Sequence, residues 1–241
     1  MKAKRSLGQN FFVNKNLADH IVKKVSENDS KCVVEIGPGL GFFTEKLIPL
    51  FEKVIVIEKD SILAENLRLR FPEIEVINTD FLDLKLEDIC KGSFTYFGSL
   101  PYNVSKPIIR KIVESKNFLQ PAYFIIQKEV AQKYIYQKPY NILSLSTAIY
   151  AKVEKLFDIS PDSFRPKPNV NSSFVSITPN EEIMDNVKDL ETLIQTSFRQ
   201  PRKNLKNNLR GSKYENPDSK YQVMRPADLS LHDYIDILKS C

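Results

Sequence analysis

A glycine-rich turn between an apolar run and an amphipathic segment is the first place in this chain where residue spacing suggests chemistry. The apolar run Cys32–Val34 leads into Glu35–Gly41, in which glycines alternate with other residues. Glycine lets the main chain turn without a Cβ penalty and approach a ligand closely, and the segment that follows has helical spacing. The pattern predicts a strand, a turn and a helix that hold a ligand against main-chain N–H groups.

Two classes of cofactor are bound by turns of this kind. The dinucleotide fingerprint is G-x-G-x-x-G, with an acid about 20 residues later that bonds a ribose. Here the spacing is G-x-G-x-G, Phe42 stands in place of the third dinucleotide glycine, and the acid is Glu58, which closes the run Val54–Ile57. Such an acid can accept hydrogen bonds from both ribose hydroxyls. The pattern resembles class I S-adenosylmethionine-dependent methyltransferases, with Gly37 and Gly39 at the cofactor. A tight turn in an unrelated α/β domain is the alternative.

A second acidic residue lies just beyond the next predicted strand. The run Ile74–Ile77 is followed by Asn78, Thr79, Asp80 and Phe81, and open α/β sheets bind ligands at the carboxyl ends of their strands. We predict that Asp80 accepts the amino group of an adenine and that Phe81 lies beside the ring. The alternative is an aspartate that only stabilises a turn.

The segment Ser99–Tyr102 reads Ser-Leu-Pro-Tyr after a further predicted strand, and it suits chemistry on an aromatic exocyclic amine. Such an amine delocalises its lone pair into the ring and is a poor nucleophile. The Ser99 hydroxyl and the Leu100 carbonyl can accept its two N–H groups and free the lone pair, while Tyr102 offers a face for stacking of the base. No general base is needed before attack, because the nitrogen becomes acidic once alkylated. The alternative is a proline turn with a packed tyrosine.

Alternating strands and helices must position these residues. Over the first 180 residues the alternation predicts an α/β domain with a doubly wound, mostly parallel, Rossmann-like sheet and an antiparallel edge formed by the last strands. Asn16 is the predicted N-cap of the first helix, and the segment around Asn10 is expected to fold onto the domain. We place a catalytic domain at residues 1–180 and a small helical RNA-docking domain at residues 181–241.

Composition excludes several other classes of protein. The 241 residues are 42% hydrophobic and 27% charged, with a net charge of +5, which suits a globular protein. No apolar run approaches membrane-spanning length and the start has no apolar signal region, so we expect a cytoplasmic protein without a membrane partner. The three cysteines and two histidines are scattered, so neither a disulfide framework nor a metal site is expected. We expect a monomer.

A dense cationic segment follows the expected domain boundary, on what we expect to be two helices. Its cations are Arg199, Arg202, Lys203, Lys206, Arg210 and Lys213, and no acidic residue lies between them. Such a run often forms only a solvated face, but at this density a phosphate-binding surface is at least as well supported. We predict that the first five of these residues bind RNA.

The ordered motifs of the chain closely resemble those of the small-subunit ribosomal RNA adenine dimethyltransferases. The resemblance covers roughly residues 4 to 210 and rests on SLGQNFF, EIGPGLG, IEKD, NTDF, GSLPYNVS, IIQKEVA, FRPKPNVNSSFVSITP and FRQPRKNLKNNL. It implies transfer of methyl groups from S-adenosylmethionine to N6 of two adjacent adenines, twice each, near the 3′ end of the small-subunit RNA. By motif position, the residues that the resemblance implies at the cofactor are Asn10, Phe12, Gly37, Glu58, Asp80 and Ser99. Those that it implies at the target base are Ser99, Leu100, Tyr102 and Phe164.

Two features depart from the family pattern. Most members have asparagine where this chain has Ser99, and the segment after Arg210 is short and matches weakly. The alternatives are therefore a sister family that methylates large-subunit RNA and gives antibiotic resistance, and a non-catalytic assembly or RNA-binding factor. The sister family lacks a segment like FRQPRKNLKNNL, and only Ser99 supports the non-catalytic factor. The cationic segment disfavours a small-molecule methyltransferase.

Overall fold

The computed structural model describes residues 10–89, 92–101, 103–181 and 186–240. Its strands are β1 (Phe11–Phe12), β2 (Cys32–Ile36), β3 (Lys53–Glu58), β4 (Glu75–Asn78), β5 (Thr95–Ser99), β6 (Ala122–Gln127), β7 (Ala151–Ile159), β8 (Phe164–Arg165) and β9 (Ser172–Pro179). Its helices are α1 (Lys15–Val25), α2 (Thr44–Leu47), α3 (Ser61–Arg70), α4 (Ser105–Val113), α5 (Lys128–Tyr134), α6 (Ile142–Ala148), α7 (Val187–Ser197), α8 (Leu205–Leu209), α9 (Ser219–Gln222) and α10 (Leu231–Ser240). None of these helices is both long enough and apolar enough to cross a membrane.

Seven of these strands form one sheet in the order β4-β3-β2-β5-β6-β9-β7. Neighbouring strands from β4 to β6 run parallel, and β9 runs antiparallel to β6. Strands covered on both faces are continuous apolar runs, and Val33, Val34, Ile55 and Val56 are accordingly fully buried. This is the mostly parallel α/β sheet that the sequence predicts, and the pairing of β9 agrees with the expected antiparallel edge.

The cap of the first helix differs from the prediction. Asn16 is the wrong residue, because α1 begins at Lys15 and its N-cap is Asn14, whose side-chain oxygen accepts the N–H of Leu17 at 3.1 Å. Asn14 has the extended main-chain angles of an N-cap, whereas Asn16 lies inside the first turn. The Asn14 amide nitrogen also lies 3.4 Å from Oγ of Ser163, a contact with a distant segment that local spacing cannot reveal.

The helix after the glycine turn is shorter than its apolar spacing suggests, and the helix after β3 exposes two of its apolar residues. After the glycine turn, α2 has only four residues and passes into a 3-10 turn at Ile48–Leu50, where Pro49 has no N–H to continue an α-helix. In α3, Ile62 and Leu69 are exposed. The buried face of that helix consists of Leu63, Ala64 and Leu67. Apolar spacing in α3 therefore marks the helix without identifying its buried face.

A pair of two-residue strands holds the N-terminal segment on the domain. β1 and β8 run antiparallel, with Phe11 opposite Arg165 and Phe12 opposite Phe164. Strands this short have no periodicity to detect, so the pairing could not be predicted from the sequence. It agrees with the expectation that the segment around Asn10 folds onto the domain.

The chain divides into two compact units, which are Met1–Ala131 with Glu154–Pro179 and Gln132–Val153 with Asn180–Cys241. The second segment of the second unit begins at Asn180. The structure differs from the expected division over residues 132–153, which group with the C-terminal part of the chain. The reason is packing, since α6 and α7 contribute apolar side chains to one core.

Candidate active site

The glycine turn joins β2 to α2 through main-chain conformations that favour glycine. Gly37, Gly39 and Gly41 have φ of 68°, 60° and 77°, which lie in the left-handed region. Gly41 also has no room for a side chain, because a Cβ there would lie 2.7 Å from the ring of Phe71. At Gly37 nothing lies within 4 Å of the corresponding position, so this part of the turn leaves the main chain open to a ligand.

Glu58, the last residue of β3, is hydrogen-bonded to the glycine turn. Its Oε2 accepts the N–H of Gly39 at 3.1 Å, and its Oε1 accepts the N–H of Asp60 at 2.8 Å. Glu58 is only 6% exposed, and burial raises the pKa of its carboxyl while these two N–H groups oppose the increase. The Lys59 N–H also lowers this pKa, and because a carboxylate has about four lone-pair sites, the group keeps capacity for a further donor. Two hydroxyl donors would favour the charged form.

Glu35 is a second buried acid beside the turn. It is 2% exposed, and its Oε2 accepts the hydroxyl of Thr44 at 2.6 Å. Burial raises the pKa of the Glu35 carboxyl to about 8, the Thr44 hydrogen bond opposes the increase, and Glu58 adds to it. Near neutral pH this carboxyl is therefore protonated in the folded protein, a property that the glycine motif alone does not indicate.

Asp80 stabilises a turn at the edge of the sheet. Its Oδ1 accepts the N–H of Leu82 at 2.9 Å and caps the 3-10 turn Phe81–Asp83. Its Oδ2 lies 2.7 Å from Nζ of Lys59, and the hydrogen bond from Lys59 lowers the pKa of the Asp80 carboxyl. Asp80 is thus a turn aspartate, and the same residue lines the cavity described below.

The loop after β5 begins with Leu100, a buried residue next to Ser99. Ser99 is the last residue of β5 and is half-buried. The Leu100 N–H donates to the carbonyl of Ile125 at 3.0 Å, whereas the Leu100 carbonyl accepts no main-chain N–H from the residues that the structure describes. Tyr102, the predicted stacking residue, lies outside those residues.

A cavity of about 490 Å³ joins these features within the first compact unit. This volume is typical of pockets that bind small molecules. The predicted residues on its wall are Asn10, Phe12, Gly37, Gly39, Glu58, Asp80, Phe81, Ser99, Leu100 and Phe164. Lining residues that the sequence analysis missed include Lys59, Arg70, Asn103 and Ser172. Lys59, Asn103 and Ser172 lie within motifs quoted above without having been singled out, whereas Arg70 lies in none of them and reaches the cavity only through the tertiary fold.

Aromatic rings fix two parts of the cavity wall. Phe12 and Phe164 pack edge to face, with centroids 5.1 Å apart and planes at 83°. Phe81 packs edge-on against Tyr96, with centroids 6.1 Å apart. Phe12, Phe164 and Phe81 are all buried, so their positions are set by core packing and not by a ligand.

The predicted RNA-binding cations belong to the second unit. The five cations are Arg199, Arg202, Lys203, Lys206 and Arg210. All are exposed, and none forms an ion pair with a carboxylate of the described residues. The first three lie on the turn between α7 and α8, so the expectation of a helix is wrong for them. Lys213, the last cation of the run, forms an ion pair with Asp189.

The buried side chain of Asn208 holds this basic turn. Its Oδ1 accepts the N–H of Gln200 at 2.7 Å, and its Nδ2 donates to the carbonyls of Gln200, Lys203 and Asn204 at 3.1, 3.2 and 3.3 Å. Asn208 is 4% exposed. One amide therefore fixes the main chain that carries the exposed cations, a role that the sequence did not indicate.

Comparison with solved structures agrees with this fold. The chain resembles the crystal structure of a dimethyladenosine transferase from Plasmodium falciparum, with a TM-score of 0.84 and 23% identity over 95% of this chain and 96% of that one. It resembles the 23S rRNA methyltransferase ErmE with a TM-score of 0.78 and 22% identity over 95% and 98% of the two chains. The fold shared with these two structures is the mostly parallel α/β fold of the class I methyltransferases.

The sequence comparison identifies the family. The family model described as ribosomal RNA adenine dimethylase matches residues 1–240, and the chain belongs to this family. A relative from Porphyromonas gingivalis named ribosomal RNA small subunit methyltransferase A is 34% identical over 98% of this chain and 96% of its own length. A relative of the same name from Chlorobaculum tepidum is 35% identical over 86% and 78% of the two chains. The predicted family and the predicted enzyme class, a methyltransferase, are confirmed.

The buried Glu35 predicts a pH-dependent stability. Its pKa is raised from 4.5 to about 8 in the folded protein, so the folded state holds this proton more tightly than the unfolded state. The proton on Glu35 therefore stabilises the folded state fully below about pH 4.5, and this stabilisation is lost as pH rises through about 8. Each unit of pKa difference corresponds to about 1.4 kcal/mol. In Glu35→Gln we expect the free energy of unfolding to fall less between about pH 5 and 8, as measured by urea denaturation.

Glu52→Gln is the matched control for this measurement. Glu52 is an exposed acid of the same unit that pairs with Lys31, so this variant should keep the wild-type dependence on pH. Parallel profiles for wild type and Glu35→Gln would contradict the assignment of a protonated Glu35.

Proposed function

We propose that this protein transfers methyl groups from S-adenosylmethionine to N6 of two adjacent adenines near the 3′ end of small-subunit ribosomal RNA. The observation that carries the proposal is a single cavity that joins the glycine turn and Glu58 to the loop of Ser99 and Leu100. Support for the substrate comes from relatives named small subunit methyltransferase A, one of which matches over 96% of its length. We assign the activity to ribosome biogenesis in the cytoplasm and to a monomer.

The chain's own residues fit S-adenosylmethionine at one end of the cavity. The Glu58 carboxylate would accept the ribose hydroxyls, and the open position at Gly37 lets a ligand lie against main chain. Asp80 would accept the adenine amino group, with Phe81 beside the ring. The other cofactor contacts that we assign are Asn10, Phe12, Gly39 and Ser99. When bound, the cofactor supplies an electrophilic methyl group on a sulfonium.

The other end of the cavity suits the target amine. The Leu100 N–H donates to the carbonyl of Ile125, which fixes the main chain on one side of Leu100. The Leu100 carbonyl accepts no main-chain N–H of the described residues and would accept one amine N–H. The Ser99 hydroxyl would accept the second N–H. These two bonds orient the nitrogen lone pair, and orientation in a confined site supplies much of the rate enhancement. The proton leaves after methylation, when the nitrogen is acidic.

Two aromatic residues complete the proposed base site. Phe164 is buried, and its edge-to-face contact with Phe12 fixes its ring in the cavity wall. We assign it to the wall of the base pocket. Tyr102 follows Leu100 by two residues in the sequence, and we assign it to stacking on the target base.

Two other functions lead to different expectations for the same cavity. The fold similarity to ErmE is compatible with methylation of large-subunit RNA, but at 22% identity it is a likeness of fold alone. Ser99, in place of the asparagine expected from the family pattern, favours a non-catalytic assembly factor. The exposed basic turn and the relatives named small subunit methyltransferase A favour the small subunit as substrate.

Methyl transfer to purified ribosomal subunits that lack the modification tests the proposal. We expect wild type to methylate small subunits and not large ones in single-turnover assays with labelled S-adenosylmethionine. Ser99→Ala removes one acceptor for the amine, and a loss of about 1–3 kcal/mol predicts a rate roughly 10- to 100-fold lower. Ser99→Asn should keep activity, because its side-chain oxygen can replace the hydroxyl.

The control for this experiment is Ser26→Ala, which alters a half-buried serine bonded to the Lys23 carbonyl and leaves the cavity intact. Transfer to large subunits in place of small ones would establish the resistance-type activity. No transfer by wild type, with activity gained in Ser99→Asn, would favour the non-catalytic factor.

The basic turn predicts salt-dependent binding of RNA. Neutralising Arg202, Lys203 and Lys206 together to Gln should weaken binding similarly across RNA sequences, because these cations are exposed and free to contact phosphates. The slope of log affinity against log salt should decrease by about 0.7–0.9 for each lost contact. The measurement is fluorescence anisotropy with RNA fragments at several salt concentrations.

The single variants Lys213→Gln and Lys203→Gln each remove one positive charge and can be compared directly. Lys213 already pairs with Asp189, so its neutralisation should change the slope less than Lys203→Gln does. Equal slopes for wild type and the triple variant would mean that the turn is only a solvated face.

A further inference from the structure

One lysine outside the cavity has an unusual set of hydrogen bonds. Lys111 lies on α4 and is half-buried. Its Nζ donates to the main-chain carbonyls of Phe81 and Leu82 at 3.2 and 2.6 Å, and also to that of Leu84. An ammonium has three N–H donors, so three main-chain carbonyls satisfy it. Nζ also lies 5.8 Å from the centroid of the Phe81 ring.

These carbonyls belong to the turn that carries the proposed adenine contacts. The turn begins at its cap Asp80, and both Asp80 and Phe81 line the cavity. Asp80 also pairs with Lys59, whose side chain is 62% exposed, and exposed pairs contribute little. Hydrogen bonds with a charged donor in a less exposed position are stronger. Lys111 therefore stabilises this turn more than Lys59 does.

The helix that carries Lys111 begins at the other end of the cavity. α4 starts at Ser105, shortly after the loop of Ser99 and Leu100, and Lys111 lies in its last turn. A single α-helix of nine residues has a continuous hydrogen-bond ladder and moves as one element. Lys111 therefore connects the turn on the adenine side to the loop on the amine side through one short helix.

We propose that Lys111 is a positioning residue that couples the two ends of the cavity, holding the Phe81–Leu84 turn in register with the loop that precedes α4. Lys111 does not line the cavity, so it affects the cofactor through the turn and not by direct contact. The proposal rests on the function proposed above, because it takes S-adenosylmethionine as the ligand of this cavity.

The test is calorimetric titration of S-adenosylmethionine into wild type, Lys111→Met and Lys106→Met. Methionine keeps an unbranched apolar side chain and removes all three donors. Lys106 is an exposed lysine on the same helix and provides the matched control. We expect affinity roughly tenfold weaker or more in Lys111→Met and unchanged affinity in Lys106→Met. Lys111→Gln keeps two N–H donors and should give an intermediate affinity.

Two further measurements separate positioning from a general effect on folding. In a double-mutant cycle, Asp80→Asn should weaken binding less in the Lys111→Met background than in wild type, because both changes act on one turn. Hydrogen exchange without ligand should be faster in Lys111→Met at the amides of Asp83 and Leu84, which close the turn. A purely structural role elsewhere would give additive losses and unchanged exchange at the turn.

The possible outcomes distinguish this inference from the proposed function. Equal affinity of wild type and Lys111→Met, or additive effects of Lys111→Met and Asp80→Asn, would overturn the role of Lys111 and leave the proposed function standing. No binding of S-adenosylmethionine by wild type would overturn the proposed function and the inference with it.

Discussion

The shape of the cavity depends on the hydrogen bonds that the buried Glu58 carboxylate accepts from the N–H groups of Gly39 and Asp60. The glycine turn has three residues with positive φ, and glycine loses more conformational freedom on folding than any other residue. A fixed partner is needed to hold such a turn in one conformation, and a charged acceptor gives stronger hydrogen bonds than a neutral one. Glu58 thus ties the turn after β2 to the end of β3, and the same residue lines the cavity.

The rest of the site follows from the parallel sheet. Parallel strands present their carboxyl ends at one edge, where open α/β sheets bind ligands. Glu58 and Ser99 are the last residues of β3 and β5, while Gly37 and Asp80 follow closely on β2 and β4. Because the strand order places β5 next to β2, the proposed sites for the cofactor and for the target amine open into one cavity. Lys111 and the short β1–β8 pair then hold the loops at this edge.

Sequence patterns were sufficient where the physical signal is local. Apolar runs mark the strands, alternating glycines mark the turn, and the position of Glu58 at a strand end follows from the same pattern. Contacts between distant segments have no such signal. Asn14 and not Asn16 caps α1, two-residue strands have no period, and α6 joins the second unit through shared core packing. Lys213 reads as one more cation until its pairing with Asp189 is seen.

The central claim is that Glu58 holds the glycine turn and also binds the cofactor ribose. Calorimetric titration of S-adenosylmethionine into wild type and Glu58→Gln tests it most directly. The amide keeps the size of the side chain and removes its charge, and a hydrogen bond to a charged group contributes about 1.5–3 kcal/mol, which predicts affinity roughly 10- to 100-fold weaker. Glu52→Gln, at the exposed site just before β3, should bind as wild type does. Unchanged affinity in Glu58→Gln would contradict this account of the site.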